Sequence, residues 1–285
     1  MSISGNATLA GVMGWPIAHS LSPRIHNYWL REMGIDGAYV PLAVATENLA
    51  DALHAMPKLG FAGVNITIPH KEAALAALNH GDNHVDDLAR RIGAVNTVTV
   101  GSDGRLTGTN TDGFGFMENL RDHAPDLELD SGRVVVLGAG GAARGVIAGL
   151  IDAGARDICI LNRTQARADV LAADLGQEAA IRVTGWESRT EVLAGAVLLV
   201  NTTSLGMTGA GALDLSLDAL PAAAAVADVV YTPLETPLLA AARGRGNVAV
   251  DGLGMLLHQA RPGFAAWFGS EPQVTPALGA HIFGS

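Results

Sequence analysis

The stretch RVVVLGAGGAAR, Arg133 to Arg144, constrains the fold more than any other part of the chain. Val134 to Leu137 form an unbroken apolar run, the pattern of a strand buried on both faces. Gly138, Gly140 and Ala143 then fit G-x-G-x-x-A, and Ala142 to Ala153 read as a helix. A strand, a glycine turn and a helix in that order open a doubly wound parallel sheet. The turn sets backbone N–H groups and a helix N-terminus against a dinucleotide pyrophosphate. The glycines alone would equally suit a plain packing turn. The strand before and the helix after favour the dinucleotide.

The next strand, Asp157 to Leu161, tells which dinucleotide is expected. An NAD site normally carries an acid at the end of this strand to hold the ribose 2′-hydroxyl. Here the chain continues LNRTQAR, with no acid there and with Arg163 and Arg167 instead. Two guanidinium groups suit a 2′-phosphate, and Thr164 can add a hydroxyl. A solvated helix start is the plainer explanation, but arginines are poorly placed beside a helix N-terminus. NADP is therefore the expected cofactor. Strands at 180–183, 197–201, 225–230 and 248–251, with helices at 165–175 and 238–243, extend the parallel set.

A chain of 285 residues suits two domains, so residues before this unit need a fold of their own. They alternate as well. Strands are expected at 9–15, 38–44 and around FAGVNITIP. Helices are expected from Ser22 to Gly34, from Glu47 to Pro57 and after Pro69. Ser22 reads as an N-cap and Pro23 as the first helical residue. Residues 94–113 read as two strands joined at Asp103-Gly104, which places antiparallel pairing at one edge. The last apolar stretch, GMLLHQARPGFAAWFG, has helical periodicity and can return to the first domain.

In NITIPHK, Asn65 to Ile68 alternate polar and apolar like a half-buried strand, and Pro69 suits the first helical position. Lys71 then falls in the first helical turn, where a cation opposes the dipole by about 0.3–1 kcal/mol. A surface pairing with Glu72 explains it as well as any other role on local evidence. Ser20 and Ser22 offer two hydroxyls at a helix start, a natural carboxylate site; capping explains Ser22 but not Ser20. Asp112 before a helix is as good an N-cap as a catalytic group. Tyr231 can be a strand-end aromatic, and Gln259 shares a helix face with Met255.

Several activities are disfavoured. The formal net charge is -10 with no basic block, which argues against nucleic-acid binding. The single cysteine, Cys159, reads as a buried strand thiol; it precludes an internal disulfide and leaves no zinc spacing. His80 and His84 flank loop residues, so no metal site is expected. The first fifteen residues lack the basic start and apolar core of a signal peptide, and no run of 18 apolar residues offers a membrane span. A cytoplasmic protein is the expectation.

HSLSP, NITIPHK, GAVNT, GTNTDG, GAGGAAR, NRTQAR, NTTSLGM, VVYTPLETPLL and DGLGMLLHQA occur in this order, from about Gly14 to Trp267. Together they closely resemble the shikimate dehydrogenase family. The resemblance implies an α/β protein of two domains. Residues 1–112 with 253–285 would form the substrate domain and 113–252 a Rossmann-type NADP domain, with the active site in the cleft between them. It implies NADPH-dependent reversible reduction of 3-dehydroshikimate to shikimate, by a monomer or homodimer without nucleic-acid or membrane partners. Carried over by residue, Lys71 and Asp112 would be the catalytic pair. Ser20, Ser22 and Tyr231 would hold the substrate carboxylate. Asn65, Thr67, Asn96 and Gln259 would bond the ring hydroxyls.

For the cofactor, the resemblance implies Gly138, Ala139, Gly140, Gly141, Ala142, Asn162, Arg163, Thr164 and Arg167. Val229 and Gly252 would lie at the nicotinamide end, and Asp87 matches a further cofactor-contact position. The family often has Val where Ile66 stands and is variable at Val229. Lys71 is the only cation in these motifs that can lose a proton, so it is expected to donate one during reduction, oriented by Asp112. A quinate or dual-specificity dehydrogenase is the nearest alternative. A catalytically silent NADP-binding regulator is the alternative from another class.

Overall fold

The computed structural model describes residues 3–176 and 179–283. The chain divides into two compact units. One contains the residues up to Thr111 together with those from Gln259 onward; the other runs from Asp112 to His258.

The first unit holds β1 (Thr8–Gly14), α1 (Ser22–Glu32), β2 (Gly37–Ala43), α2 (Leu49–Ala55), β3 (Phe61–Ile66) and α3 (Lys71–Leu78). These are followed by β4 (His84–Val85), α4 (Asp87–Ile92), β5 (Thr97–Val100) and β6 (Leu106–Thr109). Its sheet has the order β2-β1-β3-β5-β6-β4. β1 runs parallel to β2 and β3, whereas β3–β5 and β5–β6 are antiparallel. The period of two sorts β3 by face. Val64 and Ile66 enter a core with Met13, Leu53, Leu78 and Val98. On the opposite face, Gly63 leaves room for the Trp267 indole, which donates to the Val98 carbonyl at 3.1 Å. Any Cβ at Gly63 would collide with that ring. Asn65, two residues on, is left facing the same side as a buried polar group.

The second unit contains α5 (Asp112–His123), β7 (Arg133–Leu137), α6 (Gly141–Asp152), β8 (Asp157–Leu161), α7 (Gln165–Leu175) and β9 (Ala180–Thr184). It continues with β10 (Ala196–Asn201), β11 (Ala225–Asp228), α8 (Pro237–Gly244) and β12 (Val248–Val250). The strand order β12-β11-β10-β7-β8-β9 is fully parallel. In that order the first strand, β7, lies where the direction of winding reverses, the position at which such sheets bind ligands. Val134 and Val136 face a core with Ile147, Ile158 and Val200, while Val135 and Leu137 face Leu161, Leu199 and Val226. Burying each such side chain contributes about 1.5–3 kcal/mol. The helices α5 and α6 touch backbone to backbone through Gly113 and Gly149.

The chain ends with α9 (Gly252–Phe268) and α10 (Pro276–Phe283). Two local expectations are corrected. Ser22 is not an N-cap: Leu21 holds that position without a side-chain bond, and Ser22 is already helical and buried. Pro69 lies before α3, whose N-cap is His70, and the Ile68–Pro69 peptide is cis. The edge strand β4 with α4, and the final helix α10, have no counterpart in the sequence reading; they are too short for periodicity to reveal.

Candidate active site

In the first unit the β3–α3 turn sets the position of Lys71. His70 is wholly buried and its Nε2 donates to the Val44 carbonyl at 2.7 Å, tying the turn to the chain beyond β2. Trp15 N–H donates to Ile68 O and Thr67 N–H to Met13 O, which fastens the same turn to β1. Lys71 is thus the first residue of α3, half-buried, with its carbonyl accepting from Val95 N at 3.0 Å. Thr67 lies just past the end of β3, also half-buried.

Asn65 and Asn96 are joined in one buried network. The Tyr39 hydroxyl donates to Asn65 Oδ1 at 2.6 Å. Asn65 Nδ2 donates to Asn96 O and to Thr97 Oγ1, at 3.2 and 3.1 Å. Thr97 Oγ1 donates to Asn96 Oδ1 at 2.9 Å, which also accepts from Thr111 N. Asn96 Nδ2 donates to Thr111 Oγ1, whose own proton goes to the Gln259 carbonyl at 2.8 Å. All of these side chains except that of Gln259 are at most 6% exposed, so their mutual bonds replace water almost completely. Burial raises the Tyr39 phenol well above its usual range, opposed by a hydrogen bond from Ser22. Ser20 Oγ accepts from Ser22 N at 3.3 Å, so both serines stand at the start of α1. Tyr39, Thr97 and Thr111 were not expected from sequence. Only Thr97 and Thr111 carried any signal, as neighbours of Asn96 and Asp112.

In the second unit Asp112 is the first residue of α5 and is buried, which suits a carboxylate at the positive end of a helix. Gly138 has φ of 111°, and a Cβ there would lie 2.5 Å from Thr202 Oγ1, so glycine is required. No side chain caps α6 at Gly140, and a Cβ on Gly140 or Gly141 would meet open space. The N-terminus of α6 is therefore open to a phosphate, as the fit of a dinucleotide demands. Asn162, which donates to Thr164 O, begins the segment after β8, and Arg163 and Arg167 are both exposed there. The glycine loop and the two arginines thus follow adjacent parallel strands.

Beyond β11, Asp228 is a buried acid that organises the next turn. It accepts from Asn201 Nδ2 at 3.0 Å, Val230 N at 3.0 Å and Thr236 Oγ1 at 2.8 Å. Desolvation pushes its carboxyl above the usual range against these bonds. The result is a fixed backbone at Val229, whose N–H donates to Asn201 O. Gly252 N–H reaches Val230 O, and a Cβ there would strike the Val229 carbonyl. Tyr231 is half-buried, and burial raises its phenol. Asp87 stands apart from these, exposed at the start of α4 in the first unit.

Residues 12–98 match the shikimate dehydrogenase substrate binding domain, and residues 120–208 match the shikimate / quinate 5-dehydrogenase domain. The chain is 58% identical, over 98% of its length and 99% of the relative's, to shikimate dehydrogenase (NADP(+)) of Paramagnetospirillum magneticum. A crystal structure of shikimate 5-dehydrogenase from Thermus thermophilus in complex with NADP(H) and shikimate is similar at 38% identity with TM-score 0.82, covering 96% of this chain and 97% of that one. The quinate dehydrogenase from Corynebacterium glutamicum in complex with NAD is similar at 32% identity with TM-score 0.86, covering 97% of each chain.

Proposed function

The chain belongs to the shikimate dehydrogenase family, and on that premise we propose that it reduces 3-dehydroshikimate reversibly to shikimate with NADPH, a step toward aromatic amino acids. One observation carries the reading. A single chain pairs a glycine loop, with two arginines after the adjacent strand, in one unit with a buried amide–hydroxyl cluster suited to a polyhydroxylated ring in the other. NADPH, when bound, supplies the hydride to the ring carbonyl carbon. The backbone N–H groups of Gly138 to Ala142 at the head of α6 hold its pyrophosphate, and Asn162, Arg163, Thr164 and Arg167 its adenosine phosphate. Val229 and Gly252 bound the nicotinamide end through the backbone that Asp228 fixes, and Asp87 contributes a further contact.

Ser20 and Ser22 at the head of α1, with the phenol of Tyr231, hold the substrate carboxylate. Burial keeps the Tyr231 phenol protonated and therefore a donor. Asn65, Thr67, Asn96 and Gln259 meet the ring hydroxyls. Lys71 Nζ gives a proton to the carbonyl oxygen in reduction and takes it back in oxidation, with Asp112 orienting it. Steady-state rates with shikimate and quinate, each with NADP⁺ and NAD⁺, test the assignment. Shikimate with NADP⁺ is expected to give the highest kcat/KM. A preference for quinate overturns the substrate assignment. Tight NADPH binding without turnover of 3-dehydroshikimate identifies a silent binding protein instead. Lys71→Ala is expected to lower kcat by about 100-fold or more with little change in KM. A near-normal kcat with weakened substrate binding refutes the acid–base role.

A further inference from the structure

The network around Asn65 fixes more than its position. Asn65 Nδ2 faces the backbone carbonyl of Asn96, which can only accept. The nitrogen must therefore be on that side, and Oδ1 must face Tyr39. Both hydrogens of Nδ2 are then used, one by Asn96 O and one by Thr97 Oγ1. Oδ1 has two lone pairs, and Tyr39 occupies one of them. What remains of Asn65 for a ligand is a single acceptor. The phenol ring that sets this arrangement is itself held rigidly. It lies flat on the His26 ring, with centroids 3.9 Å apart and planes 3° apart, and it contacts Trp267 at 6.0 Å. Tyr39 is on β2, two strands away from β3, so nothing in the local sequence around Asn65 supplies this bond.

We propose that Tyr39 and Thr97 are positioning residues for the reaction: they lock the Asn65 amide so that it presents only an acceptor, and so select a substrate hydroxyl that donates to it. The inference rests on Asn65 being a substrate contact. Tyr39 does not itself touch substrate; it acts on the ring hydroxyl through Asn65, while its other bond, from Ser22, bears on the carboxylate that every ring-deoxy analogue retains. A ring substituent that can only accept, such as a keto or methoxy group, meets lone pair against lone pair at this point and is rejected.

The test uses the intact enzyme with shikimate and its monodeoxy analogues. Tyr39→Phe removes one oxygen and keeps the ring on His26. It is expected to raise KM for shikimate roughly tenfold, with KM for NADP⁺ unchanged. Thr97→Val is expected to do the same, and Thr97→Ser to restore the wild-type value. Asn65→Ala identifies the relevant hydroxyl, as the one whose deletion from the substrate makes that substitution costless. With that same analogue the part of the Tyr39→Phe penalty that runs through Asn65 is expected to vanish, a coupling that a merely structural loss does not produce. If Asn65→Ala weakens shikimate binding while Tyr39→Phe and Thr97→Val leave it within about twofold, the positioning inference is overturned and the substrate contact stands. An equal Tyr39→Phe penalty on every analogue also overturns it. If Asn65→Ala itself has no effect on shikimate, the substrate contact fails, and the inference falls with it.

Discussion

His26 on α1 gives the structure a measurable acid sensitivity. Its ring is wholly buried, stacked on Tyr39 and ringed by Trp29, Phe264 and Trp267. Neither ring nitrogen has a hydrogen-bond partner among the described residues. Desolvation lowers its pKa from 6.5 to about 3. The unfolded chain therefore binds a proton at this residue that the folded chain refuses, over the whole interval between those values. Stability contributed by the neutral ring is fully present above pH 6.5 and declines as the pH falls. Each pH unit is worth up to about 1.4 kcal/mol, so roughly 2–3 kcal/mol is lost by about pH 4.5 and roughly 4–4.5 kcal/mol by about pH 3.

His26→Phe keeps an aromatic ring in the stack and cannot titrate. The assay is urea unfolding of both proteins between about pH 7.5 and 4.5, followed by tryptophan fluorescence. Trp29 and Trp267, both within the first unit and in contact with His26, report on the right region. The stability of the variant relative to wild type is expected to grow by about 2–3 kcal/mol as the pH falls across that range. Comparing the two proteins cancels the carboxylates that titrate in both. A difference that stays constant within about 0.5 kcal/mol refutes the argument, because the folded protein then accepts the proton as readily as the unfolded chain.

Two other substitutions test the second unit. Ala in place of Gly149 normally favours a helix, yet its Cβ would lie 2.9 Å from the Gly113 carbonyl and force α5 from α6. Gly149→Ala is expected to destabilise by about 1–3 kcal/mol, and a variant of equal or higher Tm refutes the close approach. Replacing Arg163 and Arg167 together by Ala is expected to raise KM for NADP⁺ by at least about tenfold and leave KM for NAD⁺ nearly unchanged. Equal losses for both cofactors show that the arginines do not read the 2′-phosphate.

The sequence by itself determined the elements whose cause is local. The Val134–Leu137 run, the turn at Gly138 and the helix after it are dictated by burial on two faces and by a φ only glycine tolerates. The absence of an acid and the presence of Arg163 and Arg167 after β8 are facts of spelling, and the expectation of NADP rests on them. Lys71 and Asp112 each stand at a helix start, but local sequence explains them equally well by surface pairing and by capping, and only the family resemblance implies a catalytic pair. The tertiary structure decided what those residues can offer. Ser22 looked like a cap because serine before proline usually is one, but Leu21 takes that position and Ser22 turns inward to Tyr39. Asn65 can be read as polar from its letter, whereas its reduction to one acceptor depends on Tyr39, Thr97 and the Asn96 carbonyl, brought from two other parts of the chain. Asp228 likewise gains its role only when Asn201 and Thr236 close around it. The physical reason is common to all three. A backbone conformation is a property of a few successive residues, but a buried polar group is defined by the partners that replace water, and the fold alone chooses those.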